Sequence, residues 1–163
     1  MFEAEKDKYL MKHGFGATRL KAVLFDMDGV LFDSMPNHAY SWSHAMTQFG
    51  LHITPEEAYM HEGRTGGGTI DLLAQRDWGR RATEEEKQTI YKAKSDVFSR
   101  CPEAPRMPGA YELLKKVKAD GFIPMVVTGS GQVSLIDRLN HNFPDVFRRE
   151  LMVTSFDVKY GLS

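Results

Sequence analysis

Lys21-Ala-Val-Leu-Phe-Asp-Met-Asp-Gly-Val-Leu-Phe-Asp-Ser34 is the stretch from which the rest of the chain can be read. Four apolar residues, Ala22 to Phe25, run straight into Asp26. Short apolar runs of this kind suit a strand buried on both faces, as in a parallel sheet. Asp26 and Asp28 then fall at its carboxyl end, either side of a turn that Gly29 permits.

Two similar runs follow much later, Phe122 to Val127 and Leu151 to Val153, each preceded by a helical pattern. From Gly109 to Asp120 the apolar positions Ala110, Leu113, Leu114 and Val117 share one face, and Gly121 supplies the stop. Between Gln132 and Asn142, Val133, Ile136 and Leu139 recur every three residues. Strand, helix, strand, helix, strand is the pattern of an α/β sheet with right-handed crossovers.

The intervening segment is helical throughout. Pro36 to Phe49 carries Ala39, Trp42, Met46 and Phe49 on one face, ending at Gly50. Thr54 to Glu57 reads as a capping box with Pro55 at the first helical position. Thr69 to Trp78 is a third amphipathic stretch, and Thr83 to Glu86 caps a fourth whose expected buried positions are Ile90, Val97 and Phe98. Three prolines, Pro102, Pro105 and Pro108, then interrupt regular structure. The chain is therefore expected to be an N-terminal extension (1–18), an α/β core (19–34 with 107–163) and an inserted all-helical cap (35–106). The core is expected to be a Rossmann-like parallel sheet, incomplete, with its first three strands only.

Bulk properties narrow the function. Lys and Arg total 21 against 22 Asp and Glu in 163 residues, a balance that points away from nucleic acid. No apolar run approaches a membrane span, and Met1 to His13 lacks the apolar centre of a secretory signal. Cys101 is the single cysteine, which excludes an intrachain disulfide and fits a reducing cytoplasm.

In open α/β sheets ligands bind beyond the carboxyl ends of the strands. Two carboxylates there, Asp26 and Asp28, can approach one divalent cation and one phosphate, and all-oxygen ligation suits magnesium. A calcium loop starting at Asp26 would need an oxygen ligand at its fifth position and glycine at its sixth. Val30 and Leu31 stand there instead. After the second strand, Thr128-Gly-Ser-Gly131 offers a hydroxyl and backbone N–H groups to an anion, so Thr128, Gly129 and Ser130 are the expected phosphate ligands.

The stretch Lys21 to Ser34 closely resembles the first motif of the haloacid dehalogenase superfamily, and the helical insertion is similar to the cap of its β-phosphoglucomutase-like branch. The resemblance runs from about residue 19 to the end of the chain. It implies that Asp26 attacks phosphorus and forms an aspartyl-phosphate, and that Asp28 serves as acid and then base. It also implies a Mg2+ held by the Asp26 side chain and the Asp28 backbone carbonyl. Thr128 and the Gly129 amide would hold the phosphate. A histidine matching His38 lies near the acid–base aspartate in the mutase branch; a helix-surface histidine is the alternative. Arg64, in the glycine-rich stretch Gly63 to Gly68, could contact a substrate phosphate or sugar. Asp33 and Ser34 are expected to shape the hinge.

Several positions depart from the family pattern. Gly66 stands where the mutase has its phosphate-contacting arginine, and Gly131 where a lysine is expected. Leu162 occupies the place of the third-motif lysine, and the fourth, acidic motif has no counterpart. These departures lead to the expectation of a truncated, impaired member of the lineage, a sugar-phosphate phosphatase or a mutase acting on a small phosphorylated metabolite. The first strand would then be an open sheet edge available for self-association. The alternative is a non-catalytic domain that binds phosphate or associates through that edge.

Overall fold

The computed structural model describes residues 3–16, 19–129, 135–154 and 157. Ser130, Gly131, Val133, Lys159 and Leu162 lie outside the described residues. Helix α1 (Glu3–His13) buries no residue. Strand β1 (Ala22–Phe25) leads into four consecutive helices: α2 (Met35–Thr47), α3 (Pro55–Met60), α4 (Gly66–Asp77) and α5 (Glu84–Phe98). Then come α6 (Ala110–Ala119), β2 (Ile123–Val127), α7 (Leu135–Asn142), a single 3-10 turn and β3 (Met152–Val153).

The three strands form one parallel sheet in the order β1-β2-β3. Phe25 pairs with Val126 and Val126 with Met152, and all three are buried in one cluster with Leu114, Val117, Leu139 and Phe143. Helices α6 and α7 and the residue that follows α7 supply those last four residues, so one face of the sheet is a packed core. The side chains of adjacent residues point to opposite faces. On the other face Leu24 is 63% exposed, which corrects the expectation that β1 is buried on both faces. Among the described residues β1 is an edge strand, and the apolar run reflected the packed face only.

A second hydrophobic cluster, separate from the first, joins the four middle helices through Met46, Leu51, Ile70, Leu73 and Ile90. Local capping differs from expectation in two places. Thr54 accepts a bond from the Glu57 amide, but the Glu57 carboxylate is drawn to Arg76 and does not close the box. Helix α4 starts three residues before Thr69, because Thr65 accepts from the Gly68 amide and caps the helix. Gly66 to Gly68 are its first turn rather than a loop. A Cβ on Gly66 would lie 2.4 Å from the Tyr91 ring, so glycine lets α4 settle against α5 there. At Thr83 both bonds of the capping box form. Leu113 is exposed and Val97 and Phe98 are half-buried, whereas Lys94 is buried among them.

The two segments joining the clusters run side by side. Asp33 N–H donates to the Pro105 carbonyl and Met107 N–H to the Leu31 carbonyl, both at 2.9 Å. Phe32, fully buried, sits against Phe143 with ring centroids 5.4 Å apart. Phe32→Ala is therefore expected to destabilise the protein by about 3–5 kcal/mol, read as a lower urea midpoint with an unchanged slope. A loss under about 1 kcal/mol would contradict the anchoring role given to this ring.

Candidate active site

The site grows out of the sheet register. Because Phe25 pairs with Val126, Asp26 and Thr128 leave neighbouring parallel strands at the same carboxyl edge, where strands lie about 4.8 Å apart. Asp26 Oδ1 accepts the Met27 amide at 2.6 Å. The chain then closes a tight loop: Leu31 and Phe32 amides both donate to the Met27 carbonyl at 3.0 Å, and Gly29 N–H donates to the Phe32 carbonyl at 2.9 Å. Gly29 has φ of +74°, a left-handed conformation that costs a side-chain-bearing residue strain. Thr128 is buried, its amide bonded to the Val153 carbonyl at 2.9 Å, and Gly129 is exposed beside it.

Asp28 is held from the helical cluster. Ser34, the residue before α2, donates its hydroxyl to Asp28 Oδ1 at 2.6 Å. His38 Nε2, one turn into α2, lies 3.5 Å from the same oxygen, at the outer limit of a hydrogen bond. Behind His38, on α5, the Lys94 ammonium sits 3.0 Å from His38 Nδ1. It is boxed by the rings of Phe98 and Trp42, at 4.7 and 5.6 Å from their centroids. An ammonium has no lone pair, so Nδ1 must accept and the ring hydrogen stays on Nε2, facing Asp28.

The electrostatics of the two carboxylates diverge. Burial pushes the Asp26 carboxyl up and the charge of Asp28 adds to this, against the Met27 amide. Burial also opposes ionisation of Asp28, but the nearby His38 N–H, the Ser34 hydroxyl and the positive charge of Arg138 outweigh it. The Asp28 carboxyl is therefore held below its usual range. Burial pulls Lys94 down to about 8 despite the neighbouring charges of Asp28, Glu62 and Cys101.

Of the residues expected from the sequence, Asp26, Asp28, Thr128 and Gly129 gather at one strand edge, and His38 faces Asp28 rather than solvent. Ser130 lies outside the described residues. Arg64 is exposed in the turn before α4, and no described contact brings it to Asp28. Ser34 touches the carboxylate directly, a closer part than shaping the hinge. Lys94 was missed altogether, although a lysine at i+4 from Ile90 and i−4 from Phe98, inside an apolar stripe, was the available signal. A surface cavity of about 740 Å³ lies at the other end of β2, around Ile123 and Phe147, and contains none of these groups.

A carboxylate pair at the carboxyl edge of a parallel sheet, beside an inserted helical unit, stands where open α/β folds bind their ligands. The sequence profile of the haloacid dehalogenase-like hydrolases matches residues 20–159, and the chain belongs to that family of enzymes. It is 31% identical over 120 residues to a phosphoglycolate phosphatase of Mannheimia succiniciproducens, covering 68% of this chain and 52% of that protein. It is 29% identical over 146 residues to hexitol phosphatase A of Escherichia coli, covering 88% of this chain and 63% of that protein. Among solved structures, a Bacteroides vulgatus protein provisionally described as a beta-phosphoglucomutase superposes with a TM-score of 0.89 at 60% identity. That match covers 98% of this chain and 65% of the other. The chain thus spans between half and two thirds of the length of these relatives.

Lys94 generates a prediction of its own. An unfolded chain keeps this lysine protonated to its ordinary 10.5, whereas the folded one releases the proton near 8. Between those values the unfolded state binds more protons, so this group makes stability rise with pH; below pH 8 its cost is constant. Lys94→Met is expected to raise the stability at pH 7 by about 1–3 kcal/mol. The advantage over wild type should shrink toward pH 10, as followed by urea melts across that range. A lower midpoint for the variant at pH 7 would show that the ammonium is not a burial cost.

Proposed function

We propose that this chain carries the phosphoryl-transfer site of a magnesium-dependent phosphatase or phosphomutase acting on a small phosphorylated metabolite, with a sugar phosphate as the favoured class. One observation carries the reading. Asp26 and the Thr128–Gly129 turn share a strand edge, while Asp28 beside them is held by side chains from the helical insertion. The likeness to a phosphoglycolate phosphatase and to a hexitol phosphatase supports a small phosphorylated metabolite as substrate.

The donor set fits magnesium. Asp26 and Asp28 offer hard oxygen atoms, and among the described residues no three His, Cys, Asp or Glu side chains gather into a fuller cage. Magnesium prefers one or two carboxylates with substrate oxygens and water. Bound there, it would neutralise charge on the phosphoryl oxygens.

In the proposed reaction an Asp26 oxygen forms a bond to phosphorus as the bond to the leaving oxygen breaks, giving an aspartyl-phosphate. Thr128 and the Gly129 amide, with Ser130 as a further candidate, hold the transferred group. Asp28 supplies a proton to the leaving oxygen. It later takes one from the water, or from the sugar hydroxyl in a mutase, that attacks the same phosphorus and frees Asp26. The Asp28 carboxyl seen here is kept ionised by Ser34 and His38, which suits the second, proton-accepting half. Donating a proton in the first half requires Asp28 to come away from those two groups, so movement of α2 would control that step. Lys94 fixes the His38 tautomer and acts through it. Arg64 remains a candidate for the distal part of the substrate.

A second reading draws on the exposed edge. An uncovered leucine forgoes roughly 1.5–3 kcal/mol of burial, and Leu24 on edge strand β1 is such a residue. In this reading the chain binds phosphate without turning it over, or associates through β1. Leu24→Lys should then abolish any concentration-dependent oligomer in sedimentation velocity; an oligomer that survives it does not form through this face.

The primary test is hydrolysis of p-nitrophenyl phosphate by the purified 163-residue chain. Turnover is expected to be weak, since Leu162 stands in place of a lysine, and to require magnesium. It should vanish with a chelator and in Asp26→Asn. Asp28→Asn should lower it by about 10²–10⁴-fold. Hydrolysis that persists in Asp26→Asn would falsify the mechanism, and robust turnover lost in that variant would sink the expected impairment.

A further inference from the structure

Arg138, on α7, adds its charge to those that keep Asp28 acidic, and it is also placed on both segments that connect the two hydrophobic clusters. Its guanidinium carbon lies 4.0 Å from the centroid of the Phe32 ring, in the segment that enters the helical insertion. Its Nη2 donates to the carbonyl of Ala104 at 3.4 Å, in the segment that leaves it. Its Nε is buried and 3.6 Å from the Glu103 carboxylate, too far for a good hydrogen bond. A guanidinium presents its donors in a rigid plane, with a face that stacks on aromatic rings. It can therefore grip a ring and a carbonyl at once, which an ammonium on a flexible stem does less well.

The grip is reciprocated one turn further along α7. Arg106, also in the exiting segment, donates to the carbonyl of Asn142 at 3.2 Å, and Phe143 packs edge-on to Phe32. The two segments are tied to each other through Asp33 with Pro105 and Leu31 with Met107. Ser34, which holds Asp28, is the residue after Asp33. Phe32 is in turn bonded to Met27 and Gly29, on either side of Asp28, so a displacement of this ribbon relative to α7 would carry Ser34 and the Asp28 loop with it.

We infer that Arg138 is a positioning residue that locks the paired segments 31–34 and 103–107 onto α7 and so sets where the loop that carries Asp28 stands at the sheet edge. The consequence for turnover rests on the phosphoryl-transfer reading; the mechanical claim does not.

Residue-resolved amide exchange of the full chain tests the mechanical claim without any activity. In Arg138→Met, which keeps the stem against Phe32 but deletes the fork, the amides of Asp33 and Met107 should exchange about tenfold faster. Those of Leu51 and Val126, within the two clusters, should be unchanged. Unaltered protection at Asp33 and Met107 would overturn the inference, and so would an equal acceleration at Val126, which marks general loosening. Should the methionine variant fail to fold, Arg138→Lys takes its place with the same expected pattern. Where the wild type turns over p-nitrophenyl phosphate, Arg138→Met should lower kcat about tenfold while KM stays within about twofold. A change in KM alone would count against positioning, and Arg138→Lys should recover part of kcat.

Discussion

A half-buried carboxylate that is charged needs partners, and in this protein His38 and, behind it, Lys94 reach Asp28 from a different hydrophobic unit. The loop that carries Asp28 belongs to the cluster beneath the sheet, whereas His38 and Lys94 belong to helices packed around Met46, Leu73 and Ile90. The three groups form a chain, ammonium to imidazole to carboxylate, that crosses the seam between the units. Removing a water-accessible charge pair from a surface changes little. Here the ammonium is buried, and its position is stable only while the seam is closed around it.

That dependence explains features that look unrelated. The aromatic box of Trp42 and Phe98 keeps water from Lys94 and offers its charge ring faces. Gly66, the first residue of α4, lets that helix settle against Tyr91 of α5, the helix that carries Lys94. The ribbon of paired segments, with Phe32 in contact with both Arg138 and Phe143, is where the helical unit joins the sheet. Asp26, by contrast, is positioned almost wholly by its own neighbours, the Met27 amide and the end of β1. One carboxylate is thus set by local backbone and the other by remote packing, a division that matches their opposite departures from ordinary acidity.

Family membership agrees with this construction. The relatives include phosphatases of small phosphorylated molecules, and the chain spans only part of their length. Among the described residues, the open face around Leu24 and the edge at β1 are the least satisfied parts of the sheet.

Short-range physics made much of this legible in the amino-acid sequence. The strand from Ala22 to Phe25, the turn at Gly29, the α-helical stripe Ala39–Trp42–Met46 and the box at Thr83 are decided within a few residues, by side-chain periodicity and backbone freedom. The position of Asp26 follows from them, as does the strand-end place of Thr128. Other features were settled only by tertiary structure. Lys94 reads locally as a solvated helix residue, and its partner is 56 positions away. Ser34 reads as part of a hinge until α2 is seen to present its hydroxyl to Asp28. Leu24 reads as core until the sheet is found packed on one face. Each depends on which surfaces close on one another, and burial is a property of the whole packing that no local window contains. The stretch from Lys21 to Ser34 by itself specified a carboxylate-bearing loop at a strand end; the folded chain decided what holds its second carboxylate.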